Sequence, residues 1–339
     1  MKHRGRKHRL GDLWKNLSGA SNTSGHFDAI EKRLEQLQGQ LDHFSAIEKR
    51  LDQLQGRLDH LGATPLWGAV YMGNNRALVR YMVENRIIAF LVEADDLLLT
   101  PWFIVSGQYE TEISKFFVDN LRSDSRCLDI GANFGFYTCL MARFCPAGKV
   151  IGIEPVDTVY KLLRDNIFIN GLNRHATAIN AAVGQGPGRL TLHHRKPRSA
   201  NTSIATPSEA LLQYHGESGF ERFEIETVSV DGMLVQFDNR IDFIKIDVEG
   251  AEPLVLSGAV QTIRLNPQLQ IMMEWSPNQI RDAGFDVDEF IRELSSLQLC
   301  ATIIRPFGVE KISLPALLNI EYAAGILLSK DPIIERSNR

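Results

Sequence analysis

The segment Cys127–Thr138, which reads CLDIGANFGFYT, decides the fold of this chain of 339 residues. An apolar strand ends in Asp129, the glycines Gly131 and Gly135 follow, and a helix with apolar spacing begins directly after them. Glycine lets the backbone turn tightly and approach a ligand closely. The strand, loop and helix together predict a ligand-binding turn at the start of an α/β domain.

The second predicted strand ends in an acid, Glu154, which lies 23 residues after Gly131. A carboxylate at this position can accept hydrogen bonds from ribose hydroxyls, which indicates a cofactor that carries a nucleoside. The glycine spacing is G-x-x-x-G and not the G-x-G-x-x-G typical of dinucleotide sites. Asp129 would also lie badly beside a pyrophosphate, whereas it would suit the cationic amino group of a methionine moiety. A pyridine-nucleotide oxidoreductase is therefore the disfavoured alternative.

Strands alternate with helices around this loop, which predicts right-handed βαβ units and a mostly parallel sheet. The predicted strands are Arg126–Ile130, Lys149–Glu154, Ala176–Val183, Asp242–Asp247 and Leu269–Glu274. The predicted helices are Glu110–Leu121, Phe134–Phe144, Val159–Asn170, Glu252–Leu265 and Val287–Leu297. Earlier in the chain, a small β lead-in is predicted from three short strands, Ala77–Met82, Arg86–Val92 and Leu97–Val105. The predicted fold class is α/β.

Residues 185–235 interrupt the alternation and are the predicted acceptor-binding region, because loops beyond strand ends carry specificity. Two extra strands, Arg189–Arg195 and Phe223–Val230, flank a polar loop, Lys196–Gly219. Polar side chains there could bind sugar hydroxyls or a phosphate, with a solvated loop as the equal alternative: Lys196, Arg198, Asn201 and Ser203. On an alternating strand one of the neighbours His193 and His194 should face inward as a candidate base.

Three ordered motifs resemble the FkbM family of S-adenosylmethionine-dependent methyltransferases: LDIGANFGFYT at 128–138, IGIEP at 151–155 and IKIDVEGAE at 244–252. The resemblance extends from about Leu78 to Leu328. It implies a Rossmann-like class I methyltransferase fold with a seven-stranded sheet, in which Tyr322–Leu328 is the last, antiparallel strand. It also implies methyl transfer to a hydroxyl oxygen, often on sugars of surface glycans such as O-antigen or on natural products.

The resemblance assigns cofactor contacts to individual residues of this sequence. The cofactor loop is Asp129, Gly131, Asn133 and Gly135. Glu154 takes the ribose hydroxyls, Ala181 and Ala182 flank the adenine, and Glu110 lies near the amino-acid end of S-adenosylmethionine.

The predicted catalytic residues are three carboxylates at neighbouring strand ends, Asp247, Glu249 and Glu274. A hydroxyl is a poor nucleophile until its proton is removed or its oxygen binds a cation. Asp247 or Glu249 could act as a general base. Alternatively, the three carboxylates could hold a hard divalent ion such as Mg²⁺, which lowers the pKa of the hydroxyl. Helix capping is the structural alternative for Glu249 and Glu252, and hydrogen bonding within the fold is the alternative for Glu274.

A tandem repeat of 17 residues precedes the α/β region, His26–Asp42 and His43–Asp59. Its apolar residues are spaced by alternating threes and fours, which is typical of a coiled-coil seam. We therefore predict a homo-oligomer held through residues 26–61. The other predicted segments are a flexible basic tail at 1–25, a linker with the β lead-in at 62–108, the methyltransferase domain at 109–330 and a tail at 331–339.

The formal net charge of −4 argues against a nucleic-acid partner. The four cysteines form no C-x-x-C pair, and no apolar run reaches the ~18–20 residues that span a bilayer. The sequence thus predicts a cytoplasmic O-methyltransferase for a glycan or glycolipid-type acceptor. Weak contact of the basic tail with the inner membrane face or an acidic partner is a further expectation. The alternatives are a natural-product O-methyltransferase with a small-molecule hydroxyl acceptor, and a non-catalytic scaffold of a glycan-assembly complex.

Overall fold

The computed structural model describes residues 69–97, 99–106, 109–196, 198, 200–306 and 308–331. The predicted basic tail, the predicted coiled coil at 26–61 and nearly all of the predicted C-terminal tail lie outside the described residues. The strands are β1 (Ala69–Gly73), β2 (Arg76–Val83), β3 (Arg86–Glu93), β4 (Arg126–Ile130), β5 (Lys149–Ile153), β6 (Ala176–Ile179), β7 (Ala182–Val183), β8 (Gly188–His194), β9 (Glu221–Val228), β10 (Phe243–Ile246), β11 (Gln270–Trp275), β12 (Cys300–Arg305), β13 (Gly308–Ile312) and β14 (Ala323–Ser329).

The helices are α1 (Leu99–Ser106), α2 (Thr111–Asn120), α3 (Phe136–Phe144), α4 (Asp157–Ile169), α5 (Glu209–His215), α6 (Val230–Met233), α7 (Glu252–Ser257), α8 (Val260–Leu265), α9 (Pro277–Asp282) and α10 (Val287–Ser296). Two 3₁₀ helices cover Leu234–Phe237 and Leu314–Asn319.

The main sheet has the strand order β13-β12-β14-β11-β10-β4-β5-β6. Strands β6, β5, β4, β10 and β11 run parallel, and β14 is antiparallel to both of its neighbours, β11 and β12. This is the Rossmann-like class I arrangement, so the predicted fold class is confirmed. The sheet has eight described strands instead of the seven expected, because β13 pairs with β12 as an additional edge strand.

The central strands are buried because helices cover both faces of the sheet. All four residues of β10 are buried, and β4 and β5 each have four buried residues of five. Parallel strands covered on both faces are apolar throughout and do not alternate. Asp129 in β4 and Lys245 in β10 are buried exceptions, and they mark the site described below.

The lead-in sheet is an antiparallel meander, β1-β2-β3, and its inner face packs on the main domain. Phe90 of β3 contacts the rings of Phe134 and Phe136. The free edge of β3 is closed by two carboxamides of α4 and its C-terminal cap, which bond to backbone groups as a neighbouring strand would. Asn166 accepts from the Leu91 N–H at 2.6 Å and donates to the Leu91 oxygen at 2.9 Å. Asn170 makes the same pair of bonds with Ala89, at 3.0 and 2.7 Å.

The predicted strand Leu97–Val105 is wrong, because Leu99–Ser106 is helical. Asp96 begins the helix by accepting a hydrogen bond from the Leu99 N–H at 2.6 Å, and an apolar run of this length fits either structure. The third strand of the lead-in sheet is instead the upstream segment β1, which the prediction omitted.

Four other predicted boundaries differ from the structure. The predicted strand Ala176–Val183 divides into β6 and β7, which belong to different sheets. The predicted helix Glu252–Leu265 divides at Gly258 into α7 and α8. The polar loop contains α5, and the strands β12 and β13 were not predicted.

Candidate active site

A cavity of ≈ 730 Å³ opens at the carboxyl ends of β4, β5, β10 and β11. Ten of the eleven predicted site residues line it: Glu110, Asp129, Gly131, Asn133, Glu154, Ala181, Ala182, Asp247, Glu249 and Glu274. Gly135 does not line it. The topology thus brings the predicted cofactor loop and the predicted catalytic carboxylates to one space, as expected for ligands of open α/β sheets.

Two glycines in the loop after β4 permit different close approaches. A Cβ on Gly131, which has φ 76°, would lie 1.8 Å from the backbone oxygen of Asp247. A Cβ on Gly135, which has φ 94°, would lie 2.5 Å from Cδ1 of Leu163. Gly131 therefore lets the loop close against the end of β10, whereas Gly135 lets the start of α3 pack on α4.

Asp129 and Glu154 are buried carboxylates at the ends of adjacent strands. Asp129 accepts a hydrogen bond from the Thr138 hydroxyl at 2.6 Å, and burial raises its pKa to about 6. Glu154 accepts one N–H from Asn133 and one from Val156, both at 2.9 Å. Burial raises the pKa of Glu154 to about 7, although these two donors oppose the shift. Both oxygens of Glu154 are therefore held in place by backbone N–H groups at the cavity wall.

Lys245 is a site residue that the sequence analysis missed. Its ammonium donates to Oδ2 of Asp247 at 2.8 Å and lies 4.9 Å from the centre of the Tyr137 ring. Burial alone would lower the pKa of Lys245, but the carboxylates of Asp247 and Glu110 outweigh it and raise this pKa. The lysine is therefore a buried cation. Its signal in the sequence was a single charge inside the apolar strand FIKI.

Glu110 lies on the opposite side of this ammonium, directly before α2. It adopts a left-handed conformation with φ 40°, and its carboxylate accepts a hydrogen bond from the hydroxyl of Tyr137. Burial raises the pKa of Glu110, and the positive charge of Lys245 opposes the shift.

The three predicted catalytic carboxylates converge. Asp247, Glu249 and Glu274 each offer one oxygen, and these atoms lie within 4.8 Å of one another. Burial, with the facing Asp247 carboxylate, raises the pKa of both Glu249 and Glu274 well above the usual range. Oε2 of Glu274 is buried and has no hydrogen-bond partner among the described residues. The cluster therefore favours a cation or a shared proton between its members.

Glu249 differs from the other two acids because polar neighbours hold it. Gln279 donates to its carboxylate, and Asn201 also bonds to it. The hydroxyl of Ser203 donates to its backbone oxygen at 2.7 Å. Glu252 is a structural residue, as the capping alternative expected, because it accepts the N–H groups of Val248 and Gly250, both at 3.3 Å.

The inserted region forms its own sheet, β7-β9-β8, and supplies one wall of the cavity. The residues of this sheet and its loop in that wall are Ala182, Val183, Leu190, Leu192, Ala200, Asn201, Thr202 and Ile204. A buried ion-pair triad fastens the loop: Arg195 forms two hydrogen bonds of 2.6 Å with Glu217, and Arg198 bonds the same carboxylate at 2.8 Å. The loop at the cavity is thus anchored at both of its ends.

The two histidines and the predicted cationic contacts are placed elsewhere. His193 and His194 are both buried, and neither lines the cavity, so the expectation of one inward and one outward side chain is wrong. Lys196 pairs with Glu221 at 2.6 Å on the surface of the insertion. Asn201 lines the cavity, and Ser203 bonds to the backbone beside it.

The lining of the cavity is rich in carboxyl groups. Lys245 is the only basic residue in its described lining, and it is already paired with Asp247. The lining carboxylates are Glu110, Glu112, Asp129, Glu154, Asp247, Glu249 and Glu274. Such a lining attracts cationic groups and repels anionic ones.

The sheet combines a strand–glycine loop–helix unit with an acid at the end of the next strand, and it has two antiparallel strands near one edge, β14 and β13. This arrangement is that of an α/β enzyme of the methyltransferase class. The Methyltransferase FkbM domain matches residues 129–298, which is just over half of the chain. The chain belongs to the FkbM methyltransferase family, and it is a methyltransferase.

Two curated relatives are fungal methyltransferases. Methyltransferase sdnD of Sordaria araneosa is 28% identical over 232 residues, covering 58% of this chain and 89% of that protein. Methyltransferase 1 of Beauveria bassiana is 26% identical over 150 residues, covering 40% of this chain and 58% of that protein.

Solved structures include the methyltransferase FkbM of Methylobacillus flagellatus, at 14% sequence identity and a TM-score of 0.36, covering 62% of this chain and 44% of that chain. The O-methyltransferase of Bacillus cereus, solved in complex with SAH, has 14% sequence identity and a TM-score of 0.37, covering 65% of this chain and 81% of that chain. Among the described residues, none of the helices has the length and apolar character that crossing a membrane requires.

Proposed function

We propose that this methyltransferase transfers the methyl group of S-adenosylmethionine to a hydroxyl oxygen of a glycan or glycolipid-type acceptor. The observation that carries the proposal is one cavity that joins the glycine loop and Glu154 to the cluster of Asp247, Glu249 and Glu274. A cofactor held by the first group would point its reactive end at the second. A small natural product with a hydroxyl group is the alternative acceptor.

The residues present fit S-adenosylmethionine. Backbone N–H groups hold both oxygens of Glu154 in place, and each oxygen keeps a lone pair for a ribose hydroxyl. The acidic lining suits a ligand that carries ammonium and sulfonium charges. The absence of a Cβ at Gly131 keeps the loop close to β10. When bound, the cofactor supplies an electrophilic methyl group on a sulfonium.

Asp247 is the proposed general base. Lys245 donates to its Oδ2 at 2.8 Å and so fixes the orientation of the carboxylate. The hydroxyl of the acceptor would give its proton to Asp247 as the oxygen attacks the methyl carbon. Assistance of this kind contributes roughly 10²–10⁴-fold to a rate.

Glu249 is the weaker candidate for this proton because Gln279 and Asn201 occupy its carboxylate. We assign it the task of orienting the acceptor together with the wall formed by the insertion. Asn201 and the half-exposed Tyr322, which also lines the cavity, are a polar donor and an aromatic surface of the kind that suits a sugar.

A divalent ion such as Mg²⁺ is the second candidate for activating the hydroxyl. Glu274 has a buried oxygen with no hydrogen-bond partner among the described residues, and one of its oxygens lies within 4.8 Å of oxygens of Asp247 and Glu249. Such a set fits a hard cation with oxygen ligands. Asp247, Glu249 and Glu274 would hold the ion, which would lower the pKa of a bound hydroxyl.

The test combines a binding assay with a transfer assay. Calorimetry should show binding of S-adenosylhomocysteine and no binding of NAD. Transfer from methyl-labelled S-adenosylmethionine is then measured to a panel of bacterial polysaccharides, methyl glycosides and phenolic natural products. Labelling of the carbohydrate set supports the glycan proposal, whereas labelling of the phenols alone would favour the alternative acceptor. Failure to bind S-adenosylhomocysteine would remove the proposal.

The variant Asp247→Asn separates the two modes of activation. It should lose at least about a hundredfold of the transfer rate. Because it also removes the ion-pair partner of Lys245, binding of S-adenosylhomocysteine is measured alongside to show that the variant is folded, and Asp288→Asn on the exposed face of α10 should behave as wild type. Loss of wild-type activity on treatment with a chelator, and its return with Mg²⁺, would favour the metal; indifference to the chelator would favour the general base.

A further inference from the structure

Among the described residues, no covering side chain and no charge protects the edge of β1, although its pairing with β2 shifts register between Tyr71 and Gly73. Edge strands offer unpaired backbone N–H and C=O groups, and proteins normally cover, shorten or charge them. The edge of β3 is covered by the carboxamides of Asn166 and Asn170. The edge of β13 carries the exposed charges of Glu310 and Lys311. β6 and β7 have four and two residues, and β8 is met by Ser203 through a bridge to His193.

The sequence of β1, AVYMG, contains no charge and no proline. Its three large side chains are all more than half exposed: Val70 at 56%, Tyr71 at 68% and Met72 at 56%. Val70 lies opposite Leu78, so the apolar surface continues from β1 onto β2. The backbone edge of β1 and its exposed apolar side chains therefore favour contact with another strand over contact with water.

We propose that β1 is a dimerisation strand, which pairs antiparallel with the β1 of a second copy of this chain. An antiparallel pair related by a two-fold axis is self-complementary, so one apolar edge provides both halves of the interface. Pairing would join two lead-in sheets into one of six strands. It would bury Val70, Tyr71 and Met72 against their counterparts.

The position of β1 in the chain favours a second copy over a foreign protein. The repeat region at 26–61, predicted from its seam to bring copies together, ends seven residues before β1. If the repeats associate, they hold two β1 strands at a high effective concentration. A strand of five residues would be marginal as an interface by itself, and the upstream repeats remove much of the cost of association. This inference does not depend on the proposed methyl acceptor.

The geometry of the pair makes a sharp cross-linking test possible. Tyr71 is the central residue of β1, so two-fold pairing centred there places it opposite its own counterpart. Opposed residues of antiparallel strands have Cα atoms about 4.5–5.5 Å apart, which is inside the range of about 4.4–6.8 Å that a disulfide bridges. Three of the native cysteines, Cys127, Cys139 and Cys145, are buried, and Cys300 is only partly exposed, so wild type should give little background.

The experiment uses the full chain with Tyr71→Cys under mild oxidation, analysed by non-reducing electrophoresis. A covalent dimer should be the major species, and it should disappear on reduction. The matched control is Ile87→Cys, an exposed apolar position at the far side of the same sheet, which should stay monomeric on the gel. Adding Val70→Lys and Met72→Lys to Tyr71→Cys should abolish the cross-link, because position 70 of one copy lies opposite position 72 of the other and like charges would face each other across the pair.

Circular dichroism of each variant checks that the fold is kept. If the folded Tyr71→Cys variant stays monomeric, the proposal is overturned. The edge of β1 would then be covered by upstream residues of the same chain or by a different protein. Equal cross-linking of Tyr71→Cys and Ile87→Cys would also overturn it, because mere proximity through the repeats would then explain the dimer.

Discussion

The ammonium of Lys245 compensates the carboxylates around it, so its removal should affect stability as well as chemistry. In Lys245→Met, Asp247 and Glu110 lose their shared counter-ion. The free energy of unfolding should fall by about 3–5 kcal/mol, the scale expected when one partner of a buried ion pair is removed. Denaturant unfolding measures this loss. Lys115→Met, which removes an exposed pair with Asp119, should change stability by less than about 1 kcal/mol.

The loss in Lys245→Met should depend on pH. Without the ammonium, the folded-state pKa of Glu110, which burial already raises, rises further above the unfolded value. An acid whose pKa is raised by folding loses stability as pH rises between its unfolded and folded values. The defect should therefore be larger at pH 8 than at pH 5. A defect of equal size at both values would contradict an electrostatic role.

Glu154 predicts a pH dependence of cofactor binding. Its pKa is raised by burial to about 7, and ribose hydroxyls bond better to the ionised form. The affinity for S-adenosylhomocysteine should therefore fall as pH drops below 7. Calorimetry from pH 5.5 to 8.5 measures this slope, and Glu154→Gln should flatten it while lowering the affinity at pH 8 by about 1–3 kcal/mol. If the affinity of the variant depends on pH as strongly as that of the wild type, the titrating group is another acid, such as Asp129.

At the scale of the elements, the triad of Arg195, Glu217 and Arg198 should control the order of the wall formed by the insertion. The side chain of Glu217 is only 2% exposed, so Glu217→Gln leaves two arginines with a neutral partner. Amide exchange should accelerate in residues 200–206 and stay slow in β4 and β10, because opening is local. Mass spectrometry of peptic fragments measures both. Global acceleration of exchange would show that the insertion and the sheet unfold together.

Sequence patterns predicted correctly those helices and strands whose residue pattern fits only one type of secondary structure. β4, β5, α2, α4 and α10 were found near their observed ends, because a glycine loop, an acid at a strand end and helical spacing agree there. Leu97–Val105 failed because apolar periodicity does not separate a short strand from a buried helix. β6 and β7 were merged because nothing local shows that the chain leaves one sheet for another between Ile179 and Ala182.

The site residues that could be predicted are those whose residue type and position indicate one kind of chemistry. Acids and a glycine at strand ends identified six lining residues, since topology alone brings strand ends together: Asp129, Gly131, Glu154, Asp247, Glu249 and Glu274. The resemblance to the FkbM family assigned the other four, Glu110, Asn133, Ala181 and Ala182. Lys245 was missed because a lysine in a strand is usually assigned to solvent. Asn201 and Gln279 could not be linked to Glu249, because their meeting depends on how the insertion folds and on the position of α9.

At the scale of the whole molecule, residues 26–61 are expected to set the oligomeric state and not the chemistry. A chain that starts near Gly62 should form a smaller species by light scattering, since β1 alone offers a short interface. It should still bind S-adenosylhomocysteine, because the cavity is lined by residues from Leu99 onward. Leu34→Lys with Leu51→Lys should have the same effect on mass by placing charges in the seam. A truncated chain that keeps the full-length mass would contradict this.

The carboxamide of Asn170 that closes the edge of β3 is followed by Gly171, and an Asn–Gly sequence is chemically prone to ageing. The next backbone nitrogen can attack the carboxamide carbon, which releases ammonia and forms a cyclic imide. Water then opens this imide to aspartate or isoaspartate. Here the carboxamide is engaged with the backbone of Ala89, and this engagement should hold it away from that reaction. The rate of deamidation at this asparagine during storage would therefore report how often the lead-in sheet detaches from α4. The acid that the reaction leaves cannot donate to the Ala89 oxygen as the carboxamide does, so each detachment would be harder to reverse.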